Sequence, residues 1–169
     1  MRHAPAAHDV NNNVVKPGKI TASQGHIVPT SLVRDDGGFL FGNLGVFEPN
    51  SPVPVGVWRL TTRGSLSLVA GGLTAVTGVA VHHGRIYALE AFTGFFAPTP
   101  AVATSGTVVR LNPKTHAWEP VVTGLSFPTA MTFDEEGNLF ISNKGFLLGQ
   151  PSNTAGEIVK VRLGREDDD

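Results

Sequence analysis

Hydrophobic positions come in short runs separated by polar turns, without the three- and four-residue spacing that an amphipathic helix requires. The clearest example is FPTAMTFDEEGNLFISNKGF, residues 127–146, in which two apolar stretches flank the polar turn DEEGN. This pattern predicts a strand, a tight turn and a second strand, followed by a polar Ser-Asn-Lys-Gly step.

The same pattern occurs three times along the chain. VPTSLVRDDGGFLFGNLG begins at Val28 and AVTGVAVHHGRIYALEAFTG at Ala75, so the turn glycines Gly37, Gly84 and Gly137 are 47 and 53 residues apart. Each copy continues through a loop into a further strand, with the sequences GVWRL, GTVVRL and GEIVKV. The first two copies add a fourth strand, in GSLSLVAGGL and HAWEPVVTGL, which the third lacks.

A period of roughly 50 residues with about four short strands is typical of β-propeller blades. A sandwich would not repeat the same residue types in the same order. We therefore predict an all-β partial propeller of about three four-stranded blades, half of a six-bladed ring. The blades are 27–73, 74–125 and 126–163 within region 26–164, between a flexible arm, 1–25, and an acidic tail, 165–169.

Composition excludes several classes of function. The formal net charge is −1 and the Lys and Arg residues are scattered, so nucleic acid is not an expected partner. The chain has no cysteine, which excludes disulfides and thiolate chemistry. No apolar run reaches the roughly 18 residues of a membrane span, and we identify no signal peptide. The motifs of serine hydrolases, zincins and nucleotide-binding proteins are absent.

Two stretches carry a family resemblance: GTVVRLNPKTHAWEPVVTGLSFPTAMTFDEEGNLFISNKGF and VWRLTTRGSLSLVAGGLTAVTGVAVHHGRIYALE. They resemble the C-terminal half of the ScyD/ScyE family, propeller proteins related to NHL-repeat and SMP-30/gluconolactonase-like folds. The resemblance covers nearly everything from about residue 27 to 163. It implies a fragment of a longer, typically exported protein, although the compartment of this chain is undecided.

The second strand of each copy ends in a polar residue. These residues are Asn43, Glu90 and Asn143. In the gluconolactonase-like relatives a metal-binding carboxylate occupies a comparable place, which implies Ca²⁺ or another hard divalent cation here. The alternative is that these side chains bond to backbone groups where each strand gives way to a loop.

Threonines recur near the start of each copy, at Thr30, Thr77 and Thr129, where a propeller channel is lined. Their hydroxyls either touch a ligand or bond to neighbouring blades. A basic residue also recurs, at Arg59, Arg110 and Lys160, and we interpret it as a surface or blade-bridging charge.

Two functions follow. The first is a non-catalytic binding or scaffold propeller, with a small molecule or protein at the face formed by the loops after the second strands. The second is a metal-dependent, lactonase-like hydrolase. Because propellers close with four to eight blades, the ring requires either a missing half or a second copy of the chain.

Overall fold

The computed structural model describes residues 27–45, 53–93, 104–145 and 156–163. These residues form eleven β-strands and no helix, which confirms the predicted all-β class. The predicted arm 1–25 and tail 165–169 lie outside the described residues. The strands, in chain order, are β1 (Pro29–Asp35), β2 (Gly38–Asn43), β3 (Gly56–Thr61), β4 (Leu66–Gly71), β5 (Val76–His82), β6 (Arg85–Glu90), β7 (Gly106–Leu111), β8 (Trp118–Leu125), β9 (Ala130–Phe133), β10 (Asn138–Asn143) and β11 (Glu157–Arg162).

The strands form three antiparallel sheets, each with its strands in chain order. Sheet 1 contains β1 to β4, sheet 2 contains β5 to β8, and sheet 3 contains β9 to β11. Each sheet is one predicted repeat, and the succession of small antiparallel sheets is the partial propeller arrangement expected from the sequence.

Turn chemistry explains why each copy begins with a hairpin. In sheet 2, His83 and Gly84 have φ angles of 47° and 71°, so both central residues of the turn are left-handed. Such turns match the right-handed twist of the flanking strands. Gly37 and Gly137 also have positive φ, at 82° each. The recurring glycine is therefore required by backbone geometry at each hairpin.

Two apolar clusters join the sheets. The first lies between sheets 1 and 2 and the second between sheets 2 and 3. Their buried members are, for the first, Leu40, Val57, Leu73, Val76, Val79, Ala88 and Val109, and for the second, Tyr87, Leu89, Val108, Leu125, Leu139 and Ile141. Sheet 2 thus contributes opposite faces to two different cores.

Burial differs sharply between the middle sheet and the outer two. Strands β6 and β7 are buried along most of their length, whereas β1, β9 and β11 alternate between exposed and half-buried positions. The large hydrophobic side chains that are exposed in the described part of the chain all belong to sheets 1 and 3 or their immediate flanks: Val28, Leu32, Phe39, Leu68 and Ile158. Each outer sheet therefore has one covered face and one face that carries exposed apolar side chains.

Candidate functional site

The recurring polar residues Asn43, Glu90 and Asn143 occupy equivalent places in the fold. They are the last residues of β2, β6 and β10, the second strands of the three sheets. All three are buried, with relative exposures of 0%, 5% and 6%. A polar side chain this deeply buried requires hydrogen-bond partners, and those partners reveal how each residue is used.

Asn43 connects the end of β2 to the start of β3. Its Oδ1 accepts hydrogen bonds from the Gly56 amide at 2.9 Å and from the Trp58 indole Nε1 at 3.2 Å. Its Nδ2 donates to the Pro54 carbonyl at 3.3 Å. An amide oxygen has two lone pairs, and both are used here. Asn43 could bind a cation through Oδ1 only by giving up one of these bonds.

Asn143 makes a similar connection in sheet 3. Its Oδ1 accepts from the Ser126 amide at 2.8 Å, and its Nδ2 donates to Glu157 Oε1 at 2.7 Å. Lys144 Nζ lies 3.2 Å from the other oxygen of Glu157. The bond from Asn143, followed by the bond from Lys144, lowers the pKa of Glu157. Asn143 thus connects the end of β10 both to the segment that precedes β9 and to β11.

Glu90 binds the backbone just before β5, the first strand of sheet 2. Its Oε1 accepts a hydrogen bond from the Thr74 amide at 2.6 Å. Burial raises the pKa of Glu90 from 4.5 to about 7, and the bond from Thr74 opposes only part of that rise. Both the neutral and the charged form of the carboxyl are consequently populated near neutral pH.

The apolar surroundings of Glu90 account for this burial. Ala91 and Phe92, which follow it directly, form a buried cluster with Ala75 and Phe127. Ala75 and Phe127 have φ angles of 45° and 43°, a left-handed conformation that is uncommon for residues other than glycine. They come immediately after Thr74 and Ser126, the amide donors to Glu90 and Asn143. The two strained positions therefore recur where the strand-end side chains bind the backbone.

The described residues do not include any group of three or more His, Asp or Glu side chains placed to hold a metal ion. The triad of Asn43, Glu90 and Asn143 contains a single carboxylate, so it stays a hypothesis. The contacts that the structure gives these residues are those of the alternative, in which they bond to the backbone at the strand ends.

The threonines link neighbouring sheets. Thr30 Oγ1 donates to the Val76 carbonyl of sheet 2 at 2.6 Å, and Thr77 Oγ1 donates to the Pro128 carbonyl, next to sheet 3, at 2.9 Å. Both also contact a carbonyl of their own sheet. Thr129 contacts Ser142 Oγ of its own sheet at 3.3 Å. The hydroxyls of Thr30 and Thr77 are therefore used between sheets, and their role in lining a channel stays a prediction.

His82 has a role that the sequence did not indicate. His82 is the last residue of β5, and His83 lies in the turn that follows it. The His82 ring stacks on Phe133 of sheet 3, with ring centroids 4.3 Å apart and planes 7° apart. Burial, and then the neighbouring His83, lower the pKa of His82. Strand alternation from the buried Ala80 was the signal that could have identified it.

None of the described segments contains a helix long and apolar enough to cross a bilayer. No family model matches the sequence, and no curated protein matches it significantly. The resemblance to ScyD/ScyE propellers therefore stays an expectation drawn from the residues themselves.

Proposed function

We propose that this chain is a non-catalytic binding or scaffold propeller of the ScyD/ScyE type, which holds a small molecule or protein at its loop face. One observation carries the proposal: Asn43, Glu90 and Asn143 are occupied by backbone amides at the strand ends. Side chains used in this way fix the positions at which loops leave the sheets.

The segments that follow these residues are the proposed binding elements. They leave the second strand of every sheet, so they recur at the same place in each repeat. Binding residues are often carried on loops held by a rigid scaffold. Segments 46–52, 94–103 and 146–155 lie outside the described residues, and their sequences contain Phe47, Phe95, Phe96, Phe146, Leu147 and Leu148. Aromatic and apolar side chains of this kind suit a binding surface.

The second candidate is a metal-dependent hydrolase of the gluconolactonase type. Glu90 favours it, because it is a buried carboxyl with a pKa of about 7 at a place where such relatives are expected to hold a cation. A divalent cation there would polarise an ester carbonyl or activate water. The binding proposal is preferred because the two partner residues are amides that already make other bonds.

A library of displayed peptides and a glycan array, probed with the full chain, provide the test. We expect selected binders to stabilise the wild type in thermal melts. Replacement of Phe95 and Phe96 by Ser should abolish this stabilisation, while Glu90→Gln should retain it. Hydrolysis of gluconolactone that requires Ca²⁺ and disappears in Glu90→Gln would instead establish the hydrolase.

A further inference from the structure

Each sheet presents the same positions in the same direction, which makes the three sheets directly comparable. Leu40, Tyr87 and Phe140 each lie three residues after the turn glycine. Leu40 packs toward sheet 2 and Tyr87 toward sheet 3. Leu139 and Ile141 face sheet 2, so strand alternation places Phe140 on the open side of sheet 3. The direction of packing is thus conserved along the stack.

The face of sheet 1 that carries Leu32, here called the leading face, has the chemistry of a buried interface, and its residue Phe41 is already buried. Leu32 is 64% exposed, whereas Val79, at the equivalent position of sheet 2, is 6% exposed. Val79 is covered by the cluster that contains Leu40 and Val57 of sheet 1. The leading face also carries Phe39. Leu32 therefore occupies the position at which sheet 2 packs against the sheet that precedes it.

The open face of sheet 3, here called the trailing face, shows the reverse relation. It includes Ile158, Lys160 and Phe140. Ile158 is 69% exposed, whereas its equivalents Val57 and Val108 are 0% exposed. Val57 and Val108 are covered by sheets 2 and 3 respectively. Ile158 therefore stands where sheets 1 and 2 receive the face of a following sheet.

The cationic side chain of Lys160 on the trailing face is compatible with burial in an interface. Lys160 is equivalent to Arg59 and Arg110, which lie on the trailing sides of sheets 1 and 2. Each of those arginines pairs with a carboxylate of its own sheet, Arg59 with Asp35 and Arg110 with Glu119. Lys160 similarly lies 3.9 Å from Asp134. The internal interfaces thus already accommodate a cation at this position.

Hydrogen bonding gives the same direction independently. Thr30 donates to the Val76 carbonyl of the next sheet, and Thr77 to the Pro128 carbonyl of the next. Thr30 and Thr77 each also contact a carbonyl of their own sheet, and the contact of Thr129 with Ser142 is the equivalent of these. No sheet follows Thr129 among the described residues to accept a second bond. The equivalent of Val76 and Pro128 in the first repeat is Pro29, at the edge of the leading face.

We propose that a second copy of this chain docks head to tail, with the trailing face of one copy against the leading face of the other. Ile158 then joins the partner's Leu32 in one apolar cluster, and Thr129 donates to the carbonyl of the partner's Pro29. Two such contacts close a ring of six sheets, within the four to eight of known propellers. Docking of this kind depends only on the two outer sheets and is independent of any ligand at the loops.

The arrangement is heterologous, which distinguishes it from pairing of identical faces. Two leading faces placed together would put Leu32 against its own copy and leave Ile158 exposed. Head-to-tail docking covers both residues and repeats the two interfaces already present inside the chain. The two geometries therefore predict different cross-links.

Cysteine cross-linking tests the geometry cleanly because the chain has no native cysteine. We expect a mixture of full chains carrying Leu32→Cys and Ile158→Cys to form mixed disulfide dimers under mild oxidation. Neither variant alone should form them efficiently, nor should a mixture containing Thr123→Cys, an exposed position on the outermost strand of sheet 2. Equally fast cross-linking of Leu32→Cys alone would overturn the head-to-tail contact.

Light scattering coupled to size exclusion tests the stoichiometry. The wild type should have twice the chain mass of 17.8 kDa, while Leu32→Asp and Ile158→Asp should each return to 17.8 kDa. Thr123→Asp should remain dimeric. Because Leu32 and Ile158 are exposed in the single chain, circular dichroism should show all three variants folded. A monomeric wild type would overturn association, and longer polymers would overturn closure by two copies. Neither outcome bears on loop binding.

Discussion

Replacement of Glu90 by Gln should stabilise the protein at neutral and alkaline pH. The amide keeps an oxygen that can accept from the Thr74 amide at 2.6 Å, but it removes a charge from a buried site. Burial raises the pKa of Glu90 from 4.5 to about 7. Because one pKa unit corresponds to about 1.4 kcal/mol, the cost of ionising this carboxyl in the folded state is about 3 kcal/mol.

The pH window follows from the direction of the shift. In the unfolded chain Glu90 loses its proton near its ordinary pKa of 4.5, while in the folded chain it keeps the proton until about 7. The stabilising contribution of the protonated carboxyl is therefore complete below the unfolded pKa and is lost as the pH rises through the folded one. Wild type and Glu90→Gln should differ little at the acid end and most above neutrality.

Urea unfolding at a series of pH values and one fixed protein concentration measures this difference. We expect Glu90→Gln to exceed the wild type by about 3 kcal/mol above neutral pH, with the gap closing toward about pH 4. Glu119→Gln is the matched control, since bonds from Asn112 and Arg110 lower the pKa of Glu119. It should not stabilise the protein at any pH. Parallel pH profiles for wild type and Glu90→Gln would show that folding does not raise the pKa of Glu90.

Three further outcomes are expected. Thr77→Val should lower the free energy of unfolding by about 1 kcal/mol through loss of the bond between sheets, whereas Thr123→Val, on an exposed position of β8, should not change it in urea titrations. Burial lowers the pKa of His82, so the unfolded chain takes up a proton there more readily than the folded protein. The free energy of unfolding should therefore fall as the pH drops below the ordinary value of 6.5. His82→Phe should flatten this acid limb of a thermal-melt series. Asn143→Ala should cost about 1 to 3 kcal/mol in urea unfolding and raise the pKa of Glu157 in an NMR titration.

The repeat and its strands could be predicted because their signals are local. The turn glycines, the apolar runs beside them and the order of loops are all present in the sequence, and the structure places one sheet on each copy. The recurrence of Asn43, Glu90 and Asn143 was equally visible. Local patterns of this kind specify elements and their order.

The partners of the strand-end residues could not be predicted in the same way. The Trp58 indole reaches Asn43 Oδ1 because β2 and β3 pair, and the Phe133 ring reaches His82 because two sheets pack. Such contacts depend on tertiary geometry that periodicity does not encode.

Calcium-dependent thermal melts of the wild type and Glu90→Gln test most directly whether the strand-end side chains hold loops or a metal ion. We expect millimolar Ca²⁺ to leave the melting temperature of each protein unchanged. An ion present at 100 times its dissociation constant would stabilise the folded state by about 2.7 kcal/mol. A calcium-induced rise of that size in the wild type that is lost in Glu90→Gln would show that Glu90 binds the ion instead of holding the backbone.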